Sequence, residues 1–235
     1  MIKPCKFNSL FNAPIWFPDV SEIKFFKSFL LINFRQANIK KKILFYKCIS
    51  FSTLIINIEN DKKKIFYEIN KTTRREIIFL KTQKNFIISR QKNLIECFNF
   101  IDSLQSSFYT LADFKNVLKF YKKNVIMTSC KCRMSKKIIT LSVYLLDFEK
   151  RKVRQLQKYS NFNNNFFYDN KKIKSTISSA HQFFDFIFFK KLNFRHFDFG
   201  GYFIEEKKNK DSKKKNISSF KGKFGGEVEI NYDYI

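Results

Sequence analysis

Glycine is nearly absent from this chain. Only five of 235 residues are glycine, and all follow residue 199: Gly200, Gly201, Gly222, Gly225 and Gly226. Proline is as scarce, with Pro4, Pro14 and Pro18 all near the start. No Gly/Ser- or Pro-rich linker and no internal repeat is visible, so the sequence reads as one compact unit behind an irregular opening segment. Long apolar runs are missing too. The longest, "FFDFIFF" at 183–189, carries Asp185 and falls far short of a membrane span. The opening "MIKPCKFNSLFNAPIWF" has neither a continuous apolar region nor a small-residue cleavage site. It does not read as a signal peptide, and a cytoplasmic location is expected. Histidine is limited to His181 and His196, and no Ser/Cys–His–Asp pattern for nucleophilic catalysis emerges.

Phenylalanine and lysine fill the space that glycine leaves. Hydrophobic residues make up 44% of the chain and 32 residues are Phe, enough to bury a sizeable core. With 28% charged residues the composition is that of a soluble globular protein. The formal net charge of +26 has two readings. One is an anionic partner: nucleic acid, an anionic membrane surface bound peripherally, or phosphorylated substrates. The other is the composition bias of an AT-rich coding sequence, which favours Lys, Asn, Ile, Phe and Tyr and leaves a solvated basic surface. Of the five cysteines, Cys130 and Cys132 alternate along an apparent strand and share a face. One CxC without a second ligand pair does not make a metal site, and buried thiols are expected.

The hydrophobic spacing predicts strands over 42–50 and 52–59, then a helix over 70–81 with a capping box of Thr73 and Glu76. Amphipathic helices follow in "NLIECFNFIDSLQSSF" and "LADFKNVLKFYKK". Strands over 124–134, 136–149 and 151–159 form an antiparallel meander with a tight turn near Ser135. A polar loop leads to a helix over 174–191. "FRHFDF" is a short buried strand ending at Gly200-Gly201. A charged loop over 205–216, a short helix or turn in "ISSFKGKF" and a last strand in "EVEINY" complete the order. Helices and strands alternate while the meander forbids a purely parallel sheet, so the class is mixed α/β or α+β.

Glycine serves where φ is positive or where backbone must come close to something. A strand ending in Gly-Gly leaves amides that can face a ligand oxygen, as an oxyanion hole or phosphate nest does. Ordinary turns are the other reading. The combination "FDFGG" then "ISSFKGKFGGEVEINYDYI" resembles the C-terminal signature of FemABX-like acyltransferases. These include peptidoglycan-bridge aminoacyltransferases and single-domain acetyltransferases of polysaccharide gene clusters. The matching residues are Asp198, Phe199, Gly200 and Gly201, then Phe220, Lys221, Phe224, Gly225, Gly226 and Glu227. The resemblance covers about residues 65–235 and leaves 1–64 as a reduced N-terminal part. It implies a GNAT-like acyltransferase fold, with a mixed, partly antiparallel sheet split open around the donor and flanked by helices. It also implies acyl transfer to an amine by direct attack. Residues 150–175 hold no glycine, so the glycine-containing pyrophosphate loop of ordinary acetyl-CoA enzymes is not found.

The expected catalytic residues are Lys221, matching the motif lysine as the cation for the developing oxyanion, and Asp198, a carboxylate among Phe194, Phe197 and Phe199. Asp198 has two open roles, holding the acceptor amine or pairing with a basic residue. Substrate or donor contacts are expected from Gly200, Gly201, Phe220, Gly225, Gly226, His196, Arg74 and Arg75. The two arginines stand in the first turn of their helix, where cations oppose the macrodipole unless an anion is near. No bound cofactor or metal is expected; acyl-CoA, or else aminoacyl-tRNA, is the co-substrate. The acceptor is an amino group of an amino sugar or of a lipid- or nucleotide-linked cell-envelope precursor. A basic nucleic-acid-binding module and a catalytically decayed relative stand as alternatives.

Overall fold

The computed structural model describes residues 15–18, 34–38, 40, 42, 46–104, 110–162, 171–202 and 212–234. Nine strands occur there: β1 (Ile15–Trp16), β2 (Phe34–Ala37), β3 (Cys48–Asn57), β4 (Phe86–Gln91), β5 (Val125–Cys132), β6 (Ile138–Asp147), β7 (Lys152–Ser160), β8 (His196–Gly201) and β9 (Glu227–Tyr234). The helices are α1 (Lys62–Glu68), α2 (Lys71–Thr82), α3 (Leu94–Asp102), α4 (Leu111–Tyr121), α5 (Lys171–Lys191) and α6 (Ser212–Gly222). One sheet takes all the strands in the order β1-β2-β9-β3-β8-β7-β6-β5-β4. Only β1–β2 and β7–β8 pair in parallel. The expected mixed class is the one found. The sheet runs through the boundary expected at residue 64, because β3 is hydrogen-bonded to both β8 and β9.

The strand β6 shows why the core sits where it does. All ten of its residues are buried, as a central strand covered on both faces requires. Alternate side chains part to the two faces. Leu141 and Val143 pack with Cys97, Phe100 and Phe114 of α3 and α4. Tyr144 and Leu146 pack with Phe183, Phe186 and Phe189 of α5. Much of the phenylalanine goes here, in edge-to-face contacts: Phe186 lies 4.8 Å from Phe197, 5.7 Å from Phe199 and 5.6 Å from Phe224.

Two titratable side chains of α5, His181 and Asp185, find hydroxyl partners on the sheet. His181 is buried between the hydroxyls of Thr128 (2.9 Å) and Thr140 (2.7 Å), the core role its apolar surroundings suggest. Asp185 accepts from Thr128 Oγ1 at 2.7 Å and from the Tyr144 hydroxyl. Burial pushes the Asp185 carboxyl up, against the pull of Lys158.

Several elements differ from expectation. The two strands expected over 42–50 and 52–59 are one, β3; residues 43–45 lie outside the described residues. The capping box of Thr73 and Glu76 does not form. Asn70 caps α2, accepting from the Thr73 amide at 2.8 Å, so the cap stands three residues before Thr73. Glu76 instead accepts from Ser175 and Ser179, both at 2.7 Å, and ties α2 to α5. The capping box that does form is Thr110 with Asp113, at the start of α4. Part of the charged loop expected over 205–216 belongs to α6, while 203–211 lie outside the described residues. Elements β1, β2, β4 and α1 were not expected.

Gly226 joins α6 to β9 at φ 97°, and a Cβ there would lie 2.5 Å from the Ile55 carbonyl oxygen. Strain and overpacking both follow from a side chain at this point. Gly226→Ala is therefore expected to lower stability by about 3 kcal/mol, read from urea unfolding.

Candidate active site

The parallel pair β7–β8 is short. It joins Lys152 to His196, Val153 to Phe197 and Arg154 to Asp198, and then stops, although β7 runs on to Ser160 and β8 to Gly201. On its other edge β7 carries a bulge: Val143 faces Gln157 and Tyr144 faces Gln155, which leaves Leu156 over. Bulges bend the strand that holds them. Beyond Arg154 the two strands part around a groove of about 640 Å³. Its walls include Gln155 and Lys158 of β7, Ser175 and Gln182 of α5, Phe199 of β8, and Phe220 and Lys221 of α6. Three lysines line it, Lys158, Lys174 and Lys221, and none of its described lining residues is acidic.

Asp198 sits at the fork. It is fully buried, and its carboxylate accepts from Arg154 Nη1 (2.7 Å), the Gly200 amide (2.7 Å), Gln36 Nε2 (3.0 Å) and the Thr53 hydroxyl. Lys152 Nζ stands 3.7 Å away. Burial alone would raise its pKa; Arg154, Lys152, Thr53 and the Gly200 amide outweigh burial and hold it below the usual value. Of its two expected roles, the structure supplies the ion pair. Gly200 lies at φ 78°, and a Cβ there would touch the Arg154 guanidinium at 3.0 Å. Its amide is spent on Asp198, so the expectation that it faces a ligand is not met. Around Gly201 the space is open.

Lys221, in the last turn of α6, reaches back across the gap. Its Nζ donates to the Gly201 carbonyl at 2.6 Å. Burial pushes its pKa down to about 8, with Arg154 adding to the fall and Asp198 opposing it. Phe220 packs on Phe224 at 5.3 Å and lies 5.7 Å from Lys158 Nζ. Lys158 donates to the Ser178 carbonyl (3.0 Å) and to Gln182 Oε1 (3.5 Å). Burial lowers its pKa, while Asp185 and Cys130 oppose the shift.

The structure thus brings Lys221, Asp198, Gly200, Gly201 and Phe220 together. The other expected contacts lie elsewhere. Gly225 and Gly226 form the turn into β9, pressed against the backbone of Glu68 and Ile55, with no space for a ligand on that side. His196 is exposed at the far end of β8, paired with Asn57 and Lys152. Because α2 starts at Lys71, Arg74 and Arg75 stand past its first turn, where the dipole penalty has faded. Arg74 lies over the Tyr67 ring at 5.4 Å, and Arg75 is exposed. Sequence reasoning missed Arg154, Thr53, Gln36, Lys158 and Gln182. The signal for Arg154 was an arginine inside a strand that also holds buried Val153 and Gln155.

No protein-family model matches the chain, and no curated protein matches it significantly. Solved structures do. FemX superposes with a TM-score of 0.58 at 11% identity, over 78% of this chain and 61% of that one. L-PGS from Bacillus licheniformis gives 0.54 at 12% identity, over 80% and 61%. The C-terminal domain of a putative lysylphosphatidylglycerol synthetase from Agrobacterium fabrum gives 0.54 at 9%, also over 80% and 61%. The chain spans about three fifths of the length of these structures. At such identities the likeness is one of fold, and it is the FemABX-like fold that the terminal motif implied.

A depressed carboxylate contributes stability above its unfolded pKa, about 3.9, and loses it as pH falls through the lower folded value. Asp198→Asn is expected to lose about 3 kcal/mol at pH 7 by stranding Arg154. It is also expected to show a smaller further loss than wild type below pH 4, both read from urea unfolding across pH.

Proposed function

We propose that this chain is an N-acyltransferase that moves an acyl group from an acyl-CoA to an amino group by direct attack. The observation that carries this reading is the parting of β7 and β8 beyond Arg154 and Asp198, with Lys221 at the mouth of the gap. A strand edge that loses its partner offers backbone N–H and C=O groups to an extended ligand. The amide-bearing arm of a CoA thioester is such a ligand, and the lysines of the groove suit its phosphates.

Chemistry at the mouth follows from charge. The acceptor nitrogen donates its lone pair to the thioester carbon, and the carbonyl π electrons move onto oxygen. The Lys221 ammonium, held by the Gly201 carbonyl, keeps further N–H donors for that oxyanion. Collapse reforms the carbonyl and breaks the C–S bond; the CoA thiolate leaves and takes up the proton the amine releases. Asp198 acts through structure, fixing Gly200 and Arg154 beside the lysine.

The acceptor in this reading is an amino sugar or a lipid- or nucleotide-linked cell-envelope precursor, reached from the cytoplasm. A fold neighbour, lysylphosphatidylglycerol synthetase, carries a lipid product in its name. An aminoacyl-tRNA donor fits less well, because an α-ammonium group would meet three lysines in the groove. The nucleic-acid-binding alternative needs exposed aromatics beside basic residues. Of the aromatics in "FYKKNV" and "NFRHF", Tyr121, Phe194 and Phe197 are buried; the more exposed pairs, Phe120 with Lys119 and Tyr67 with Arg74, stand on helices rather than on an open sheet face.

Acetyl-CoA at about 100 times its dissociation constant adds about 2.7 kcal/mol, so the unfolding midpoint is expected to rise by roughly 5–10 °C. A rise with uncharged tRNA alone would replace acyl-CoA by an RNA ligand, and no rise with either would favour the decayed relative. Lys221→Ala is expected to lower kcat about 10²–10³-fold. With Lys221 as the working cation, kcat/KM falls as pH rises through about 8. Lys221→Arg, charged throughout that range, is expected to abolish this falling limb; its persistence would remove Lys221 from the role.

A further inference from the structure

On α1 and α2 the positive charge of the chain coincides with exposed apolar surface. The two helices run back along each other as a hairpin. Near its corner Arg74 of α2 lies 5.4 Å over the Tyr67 ring of α1. At its open end burial lowers the Lys81 pKa and the charge of Lys62 adds to the fall. The inner side of the hairpin is occupied. Ile65, Ile69 and Ile77 enter the main core, and Leu80 packs with Ile177 and Ala180 of α5. Glu76 binds Ser175 and Ser179 there.

The outer side is different. Lys71, Arg75, Ile78 and Thr82 follow at spacings of four, three and four, so they form one line along α2, and all are exposed. Ile78 is 51% exposed, its neighbour Phe79 42% and Tyr67 69%. Single exposed apolar side chains are ordinary, but a group of them beside a row of cations marks an interaction surface. Residues 61–82 hold seven lysines and arginines against three acids. The acids are engaged: Asp61 accepts from the Lys63 and Lys64 amides, Glu76 faces α5, and Glu68 stands 3.4 Å from Asn60 Nδ2.

We infer that the outer side of this hairpin docks on the surface of an anionic lipid bilayer, with its cations at the phosphates and Ile78 and Phe79 below them, at the edge of the acyl chains. Charge complementarity and exposed apolar side chains on one surface both fit that occupant. Tyrosine, here Tyr67, is favoured at the boundary between headgroups and hydrocarbon. A nucleic acid would use the cations but leave Ile78 in water, and Arg74 already covers a Tyr67 ring face that a base would need for stacking. The Asn70 amide, at the hairpin corner, donates to the Lys223 carbonyl at 2.9 Å. The corner therefore adjoins the end of α6 that carries Lys221, and a bilayer there lies beside the mouth of the groove. A lipid-linked acceptor at that mouth rests on the acyltransferase reading; the docking does not.

Vesicle co-sedimentation of the full chain tests this. The vesicles are phosphatidylcholine alone, or phosphatidylcholine with an equal share of phosphatidylglycerol, at about 0.15 M salt to screen distant charge. Binding is expected with the anionic vesicles and is expected to be about tenfold weaker or less with the neutral ones. Ile78→Ser with Phe79→Ser, which changes no charge, is expected to weaken it about tenfold or more. Lys71→Glu with Arg75→Glu is expected to do the same. Lys115→Glu with Lys119→Glu makes an equal charge change on α4, across the sheet from α5, and is expected to cost less than about threefold. Urea midpoints near wild type confirm that these surface variants fold. No binding to anionic vesicles, equal binding to both kinds, an equal loss from the α4 pair, or binding that survives Ile78→Ser with Phe79→Ser would overturn the inference. Capture of uncharged tRNA in place of vesicles, lost in Lys71→Glu with Arg75→Glu, would also overturn it and give the face to nucleic acid. Acetyl-CoA binding, measured on the same protein, keeps the two readings apart. Acetyl-CoA binding without vesicle binding removes only this inference, and vesicle binding without acetyl-CoA binding removes only the acyltransferase reading.

Discussion

A single buried carboxylate organises this structure. Asp198 gathers donors from β2, β3, β7 and the backbone of its own strand: Gln36, Thr53, Arg154 and Gly200. A charge taken out of water is costly unless it is paired and its lone pairs are filled. Here both conditions are met, and the result is geometric. β7 and β8 are clamped together at Arg154 and Asp198, and beyond that clamp they are free to separate. The same carboxylate pins the Gly200 amide, which holds the strand end at a φ that other residues rarely adopt.

The two faces of β8 divide the work. Phe197 and Phe199 point into the aromatic layer under α5, while Asp198, between them, points to the other face and its polar network. The greasy side supplies the rigidity that a wide gap between strands requires, through Phe186, Phe189 and Phe224. The polar side sets the charges. Lys221 touches both regions, packing into the groove and lying within reach of the fields of Arg154 and Asp198. That position explains why its ammonium is less firmly protonated than an ordinary surface lysine.

The C-terminal motif and the strong periodicities were legible in the sequence. The meander of β5, β6 and β7, the helix α5 and the buried strand β8 follow from alternation and from runs too long to be anything else. Lys221, Gly200, Gly201 and Phe220 were legible through the terminal motif. What stayed hidden depends on contacts distant in sequence. Arg154 lies 44 residues from its partner Asp198, and Gln36 lies 162 residues away. No local spacing encodes a parallel register or a bulge at Leu156. The capping box was misplaced because Asn70 caps the helix three residues ahead of Thr73 and so puts Thr73 inside it, and because Glu76 finds two serines on α5 instead. Gly225 and Gly226 were misread because close packing against protein backbone and close approach to a ligand demand the same residue.

The claim on which the rest depends is that the parted strands receive the acyl donor. Hydrogen exchange of the backbone amides between Gln155 and Ser160, with and without saturating acetyl-CoA, tests it most directly. A donor seated in the gap slows exchange along that edge and leaves the pairing of β4 with β5 unchanged. Saturated binding with no slowing between Gln155 and Ser160, or with slowing confined to another part of the chain, would contradict it.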